Sequence, residues 1–118
     1  MHELYLAECI LRTASRSLPP AVTPHDVQRV CVRVGKLDAV VPDSLRFLFD
    51  AIKGNYSMPD AELSIEEEGV SCRCTCGHLF EVTEPLFRCP VCGSGNVKVV
   101  SGRGLVVQSI TVKDEEGD

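Results

Sequence analysis

Cys72-Arg73-Cys74-Thr75-Cys76-Gly77-His78, followed after Leu79 to Arg88 by Cys89-Pro90-Val91-Cys92-Gly93, is the stretch that decides how this chain folds. Five of the seven cysteines fall within these 21 residues. The second pair, Cys-Pro-x-Cys-Gly, has the form of a zinc knuckle. Its spacing lets two sulfurs reach one ion, and the glycine permits a tight turn whose backbone N–H groups face the thiolates. Two such knuckles facing each other make a closed, tetrahedral zinc site. The first knuckle is irregular, because it contains no Cys-x-x-Cys. It offers Cys72-x-Cys74, Cys74-x-Cys76 and Cys72-x-x-x-Cys76.

Other uses of cysteine fit less well. A disulfide framework suits an exported chain, and Met1-His2-Glu3-Leu4 lacks the basic and apolar regions of a signal peptide. Seven thiols is also an odd number. A thioredoxin-like site needs only one pair, on a strand-to-helix turn. An Fe–S cluster is a lesser alternative. Reduced thiols and no export signal point to the cytoplasm.

The chain has 118 residues, enough for one domain with a modest core. A metal segment of about 30 residues cannot bury a core unaided and must be stapled by its ion. No stretch is long and apolar enough to span a membrane. The net charge is −5, and four thiolates around one Zn²⁺ lower it by two more. There is no Trp, and six aromatics in all. Nucleic acid is therefore not an expected partner, since phosphate binding needs clustered Lys and Arg, and base stacking needs aromatic platforms.

Outside the metal segment, residues 3–18 have a helical apolar stripe of Leu4, Ala7, Leu11, Ala14 and Leu18, with Ile10 beside it. Pro19-Pro20 ends that helix. Residues 27–36 predict a strand with Val30, Val32 and Val34 on one side, interrupted at Gly35. Residues 42–53 predict a second helix, with Pro42 in its first turn, Leu45, Leu48, Phe49 and Ile52 on its apolar face and Gly54 as its C-terminal cap. A strand is expected near 61–68, with Leu63 and Ile65 inward. A last one is expected at 105–113, with Val106, Ile110 and Val112 sharing a face. The tail Asp114 to Asp118 is expected to fray. These elements predict an α+β fold with two helices on a small three-stranded sheet and an inserted zinc-ribbon-like lobe. The expected domains are 1–69 plus 101–118, and 70–100.

The N-terminus is a second constellation. Methionine aminopeptidases act before small residues, so His2 leaves Met1 in place. A free α-amine, with a pKa of about 8, then lies beside an imidazole with a pKa of about 6.5. With neighbouring backbone amides these form an all-nitrogen, planar donor set, which suits Ni²⁺ or Cu²⁺ rather than tetrahedral zinc. Alone, His2 also reads as an ordinary solvated terminus.

Taken together, several motifs resemble the HypA/HybF family, and they do so in order along essentially the whole chain. They are Met1-His2-Glu3-Leu4, Val34-Gly35-Lys36-Leu37, Val41-Pro42-x-x-Leu45-x-Phe47-x-Phe49, Cys76-Gly77-His78 with Cys89-Pro90-x-Cys92-Gly93, and Ser101-Gly102-Arg103. That family comprises nickel metallochaperones for [NiFe]-hydrogenase maturation. The resemblance implies Ni²⁺ as cargo on His2, the Met1 amine and the Glu3 backbone, so that 1–69 plus 101–118 is a nickel-binding domain. It implies Zn²⁺ as a structural ion held by four cysteines in two pairs. A HypB-type GTPase and the hydrogenase large subunit are the implied partners, with urease served by some members. No enzymatic activity is implied, and a homodimer is left open.

The chain departs from the family at the first knuckle. The position three residues before Cys76 is Arg73. Alignment from the preceding strand selects Cys74 with Cys76, Cys89 and Cys92 as zinc ligands, while chelate geometry favours Cys72 in place of Cys74. Cys9 and Cys31 read as small buried hydrophobes. His78 reads as a neighbour that supports the ligands rather than a ligand, and His25 as solvent-facing polarity. Glu66-Glu67-Glu68 reads as a solvated strand edge. Arg73 and Arg88 read as counter-charges to a zinc–thiolate unit or as plain surface. The rival function classes are a zinc-ribbon adaptor binding nucleic acid or protein, and a thiol redox protein.

Overall fold

The structure, a computed structural model, describes residues 2–83 and 86–113. Met1 and the acidic tail from Asp114 to Asp118 lie outside the described residues. Helix α1 spans His2–Ser17, and Ala7, Ile10, Leu11 and Ala14 are its buried positions. That is the i, i+3, i+4, i+7 spacing of one helical face. Leu4, at the end of the same stripe, is exposed. Strand β1, Val27–Gly35, buries Val27, Val30, Val32 and Val34. Helix α2, Pro42–Ile52, buries Leu45 and Phe49. Pro42 fits its first turn because no N–H is needed there, and the Leu45 N–H closes that turn on the Val41 carbonyl at 3.0 Å.

Gly54 does not cap α2. The chain tightens into a 3-10 turn over Lys53–Tyr56, and Ser57 takes the left-handed conformation at φ 63°. The physical cause is local tethering. The Ser57 N–H bonds the Gly54 carbonyl, the Met58 N–H bonds the Lys53 carbonyl, and the Lys53 ammonium reaches the Ala61 carbonyl at 2.9 Å. The reversal is thereby delayed by three residues. Met58 and Ala61, fully buried, then lead into β2, Glu62–Glu68. Strand β6 is Leu105–Val112. Its alternation slips at Gln108 and Ser109, both exposed, so Leu105 and Val107 are half-buried where Val106 was expected. Ile110 and Val112 keep their expected side.

The first sheet has the order β2-β1-β6, three strands as expected. A second three-stranded sheet, which the sequence pattern does not announce, lies in the cysteine segment. It comprises β3 (Val70–Cys74), β4 (Leu79–Val82) and β5 (Val97–Ser101), in the order β4-β3-β5. The chain divides into two compact units. One holds Met1–Arg33, Val40–Glu66 and Val106–Asp118, and the other holds Val34–Ala39 and Glu67–Leu105. No described helix is long and apolar enough to cross a membrane.

The core of the first unit comes from Ile10, Leu11, Val27, Val30, Val32, Leu45, Phe49 and Met58, each at most 1% exposed. Burying each large side chain contributes about 1.5–3 kcal/mol. The solvent face of this unit interleaves opposite charges. Arg29 meets Glu62 at 3.4 Å. With its amide oriented to satisfy both neighbours, Gln108 donates to Glu66 and accepts from Arg33, each at 3.2 Å. The Glu3 carboxylate accepts the Val41 N–H at 3.2 Å, joining the first turn of α1 to the start of α2.

The second unit contains a crossing of bare backbone. Gly35 donates to the Gly104 carbonyl and Leu37 to the Gly102 carbonyl, each at 2.9 Å. A Cβ on Gly35 would stand 2.1 Å from the Gly102 oxygen, and one on Gly102 would stand 2.8 Å from the Val70 Cα. Gly35 has an ordinary extended conformation, φ −77°, so its requirement is purely for space. Glu68 belongs to this crossing and accepts the Gly102 N–H at 3.2 Å, so the acidic run is not simply a solvated edge.

Two outcomes follow. Gly35→Ala will lower unfolding stability by about 3 kcal/mol, from a backbone overlap that no rotamer relieves, whereas Gly54→Ala will stay within about 0.5 kcal/mol, measured by denaturant unfolding. The Glu3 carboxyl is held below its usual value of 4.5, first by the Val41 N–H and next by its own backbone N–H. The stability it contributes is present above that usual value and is lost as pH falls through the lowered one. The Val41 amide shift, followed by NMR, will therefore titrate with a midpoint below 4.5 in the native chain and will not do so in Glu3→Gln.

Candidate metal centre

Strand β3 carries Val70, Cys72 and Cys74 on its buried side, with Arg73 exposed on the other. Cys72 is fully buried between its register partners Phe80 of β4 and Val99 of β5. It stops short of the cluster. The sulfurs of Cys74, Cys76, Cys89 and Cys92 all lie within 4.8 Å of one another. Among the described residues they form the one converging group of metal-ligand side chains. Cys74 and Cys92 approach to 3.4 Å, and Cys76 and Cys89 to 3.8 Å.

These distances bear on what the group can hold. A tetrahedral ion with bonds of about 2.3 Å to sulfur sets sulfur–sulfur edges of about 3.8 Å. The cluster brackets that value. A disulfide would need about 2.05 Å, and all seven cysteines are free. Four soft thiolates in tetrahedral array fit Zn²⁺, which needs no particular d-electron geometry.

The irregular first knuckle has a simple local explanation. In the regular knuckle, Gly93 at φ 74° donates to the Cys89 carbonyl at 2.8 Å, and Cys89 donates to the Ser94 carbonyl at 2.9 Å. In the first, Gly77 at φ 95° donates to the Cys74 carbonyl at 2.8 Å, and Cys74 donates to the His78 carbonyl at 2.9 Å. The two turns make the same pair of bonds, each one residue shorter in the first. The missing residue is absorbed between the cysteines, and the left-handed glycine after the second cysteine is retained in both. This tighter turn lets Cys74 and Cys76 converge without Cys72. The Val91 N–H also points at the Cys89 sulfur, at 3.4 Å.

The close approach of the four thiols sets their ionisation against one another. The Cys76 N–H favours the Cys74 thiolate, and the thiols of Cys92, Cys76 and Cys89 add to this, bringing Cys74 down to about 6. At Cys92 the Ser94 N–H also favours ionisation. The Cys74 sulfur, desolvation and the other two sulfurs outweigh it and push Cys92 up to about 12. Cys76 is raised by the same competition. A divalent cation at the centre removes the conflict, because every thiolate then faces positive charge.

The other sequence candidates fall elsewhere. The His78 ring stacks on Phe80, with centroids 6.0 Å apart, and its backbone carbonyl is what supports the knuckle. Cys9 on α1 and Cys31 on β1 are half-buried and outside the cluster. His2, exposed, is the first residue of α1. His25 is exposed and helps line an open polar cavity of about 570 Å³ with Asp26, Arg29, Asp60 and Glu62.

Known proteins agree with this architecture. The family profile described as hydrogenase/urease nickel incorporation, metallochaperone, HypA matches residues 1–112. The hydrogenase maturation factor HypA of Desulfosudis oleivorans is 42% identical over 115 residues, covering 97% of this chain and all of that protein. Its counterpart in Desulfatibacillum aliphaticivorans is 40% identical, covering 98% of this chain and 90% of that protein. The solution structure of the Ni metallochaperone HypA from Helicobacter pylori shares the fold. It has a TM-score of 0.65 at 23% identity, over 98% of this chain and all of that one. The chain therefore belongs to the HypA family, the nickel metallochaperones of hydrogenase maturation.

Proposed function

We propose that this chain takes up Ni²⁺ through the Met1 amine, the His2 imidazole and backbone amides reaching Glu3, and hands it on for hydrogenase maturation. The observation that carries this reading is where α1 begins. A helix leaves its first four N–H groups without intrahelical partners, and α1 starts at His2 with the imidazole exposed. Those amide nitrogens are therefore outside the helical ladder, and a strong Lewis acid beside the imidazole would displace the Glu3 N–H from its own carboxylate. Planar nitrogen ligation suits Ni²⁺.

In the same reading, Cys74, Cys76, Cys89 and Cys92 hold a structural Zn²⁺. That ion supplies folding energy to the lobe of residues 70–100 and leaves no open position for chemistry. Residues 1–69 with 101–118 make up the nickel-carrying domain. The protein is a carrier and not an enzyme. It works in the cytoplasm with a HypB-type GTPase and the hydrogenase large subunit, the partners that the family resemblance implies. The zinc-ribbon nucleic-acid adaptor is disfavoured by the acidic charge of the chain.

Metal analysis on untagged protein tests both sites. One residue added before Met1 will abolish tight Ni²⁺ uptake in calorimetric titration while zinc content and circular dichroism stay unchanged. Retained nickel affinity in that variant defeats the terminal site. Nickel binding will also weaken on acidification, because protons compete with the ion for its nitrogen donors. Cys74→Ala will lose zinc and melt the lobe. Cys72→Ala will keep one zinc per chain at a cost of about 1 kcal/mol in packing, and the opposite pattern would reinstate Cys72 as the ligand.

A further inference from the structure

We propose that the exposed face of the β4-β3-β5 sheet docks an acidic segment of a protein partner, with a partner carboxylate held between Arg73 and Lys98. Arg73, in the central strand, has Leu79 of β4 as its register partner on one side and Lys98 of β5 on the other. Directly opposed residues point to the same face, so two cations stand side by side. Like charges in that position are destabilising. Neither cation has a hydrogen bond or ion pair among the described residues. The β2-β1-β6 sheet of the same chain does the opposite, setting Arg29 against Glu62 and bridging Arg33 to Glu66 through Gln108. The second unit is formally neutral, with five cations and five carboxylates, so an unpaired cation pair there is not forced by composition.

Neutralising the cysteine cluster does not explain the pair. Side chains alternate along β3. Val70, Cys72 and Cys74 are buried, and the exposed Arg73 leaves on the other side. The face that Arg73 shares is suited to a ligand. At the end of that face, where the strands give way to Thr75 and Asn96, a cavity of about 370 Å³ is lined by Arg73, Thr75, Asn96 and Lys98 and reaches Cys74 and Val97 of the other side. Leu79 is 51% exposed beside Arg73, and Val100, two residues beyond Lys98 on the same face, is 48% exposed. Glu81 is the carboxylate on this face, opposite Ser71 and one outward step from Leu79. A guanidinium and an ammonium flanked by apolar side chains recognise a carboxylate with apolar neighbours, the guanidinium in a bidentate fork. Two cations with no aromatic on this face do not make a track for a nucleic-acid backbone.

The surface is independent of nickel binding at the N-terminus, and its test needs no nickel. The zinc-loaded, ¹⁵N-labelled full chain is titrated with a short blocked peptide alternating Val and Glu. Parallel titrations use the Val/Lys counterpart and an oligothymidylate. The expected result is salt-sensitive binding of the Val/Glu peptide alone, with amide shifts at Arg73, Thr75, Asn96 and Lys98. The double substitution Arg73→Gln with Lys98→Gln will weaken it by about tenfold or more with zinc content unchanged, and Arg29→Gln will leave it intact. Shifts centred elsewhere, equal binding of the Val/Lys peptide, or undiminished binding by the double variant would overturn the proposal. Preferential oligothymidylate binding at these residues replaces it with a nucleic-acid surface. Zinc loss from the double variant with peptide binding unaltered assigns the two cations to the cluster instead.

Discussion

Four sulfur atoms lie within 4.8 Å of one another in a lobe whose strands are only four or five residues long. The Cys76 N–H and the neighbouring thiols hold the Cys74 thiol down to about 6, while the Cys74 sulfur and burial push Cys92 up to about 12 against the Ser94 N–H. Only a cation lets all four ionise together. The rest of the lobe is built to deliver that arrangement. Strand β3 brings in Cys74, and two glycine turns present the remaining sulfurs. Cys72, Cys74 and Cys89 supply much of the buried surface that a larger domain would take from aliphatic residues. Short strands with so little apolar area do not stand alone, and an ion held by the four sulfurs would couple its binding to the folding of the lobe.

The equivalence of the two knuckles changes how the irregular one is understood. Spacing alone suggests that Cys74-x-Cys76 is a defective pair in need of Cys72. Backbone bonding shows a shorter version of the same turn, with Gly77 and Gly93 in matching roles. What the turn conserves is the left-handed glycine and its N–H to the first cysteine, not the number of residues between the sulfurs. Cys72 is left as a small buried apolar side chain between Phe80 and Val99.

Much of the first unit was legible because long amphipathic patterns dominate it. The stripe from Ala7 to Ala14, the valines of β1 and the Leu45–Phe49 face each repeat often enough to declare a period. Places where hydrogen bonding overrides pattern were not legible. Gly54 looked like a cap, but Lys53 and Met58 carry the turn on to Ser57. Val106 looked inward, but the slip at Gln108 and Ser109 exchanges it for its neighbours. The second sheet was hidden because Val70–Cys74 and Leu79–Val82 are short and each is interrupted by a charged residue. The cluster itself was legible down to a choice between two cysteines, since spacing restricts reach but says nothing of which side of a strand a sulfur leaves.

The glycine crossing has a consequence for how the protein is made. Asp38 and Gly104, which bond across it, are 66 residues apart, whereas Cys74 and Cys92 are separated by 18. Closing the longer loop costs about 1 kcal/mol more in chain entropy. During synthesis the cysteines also leave the ribosome before Ser101-Gly102-Arg103-Gly104 does. Chain entropy therefore favours bringing the cysteine pair together before the crossing at Gly35 closes.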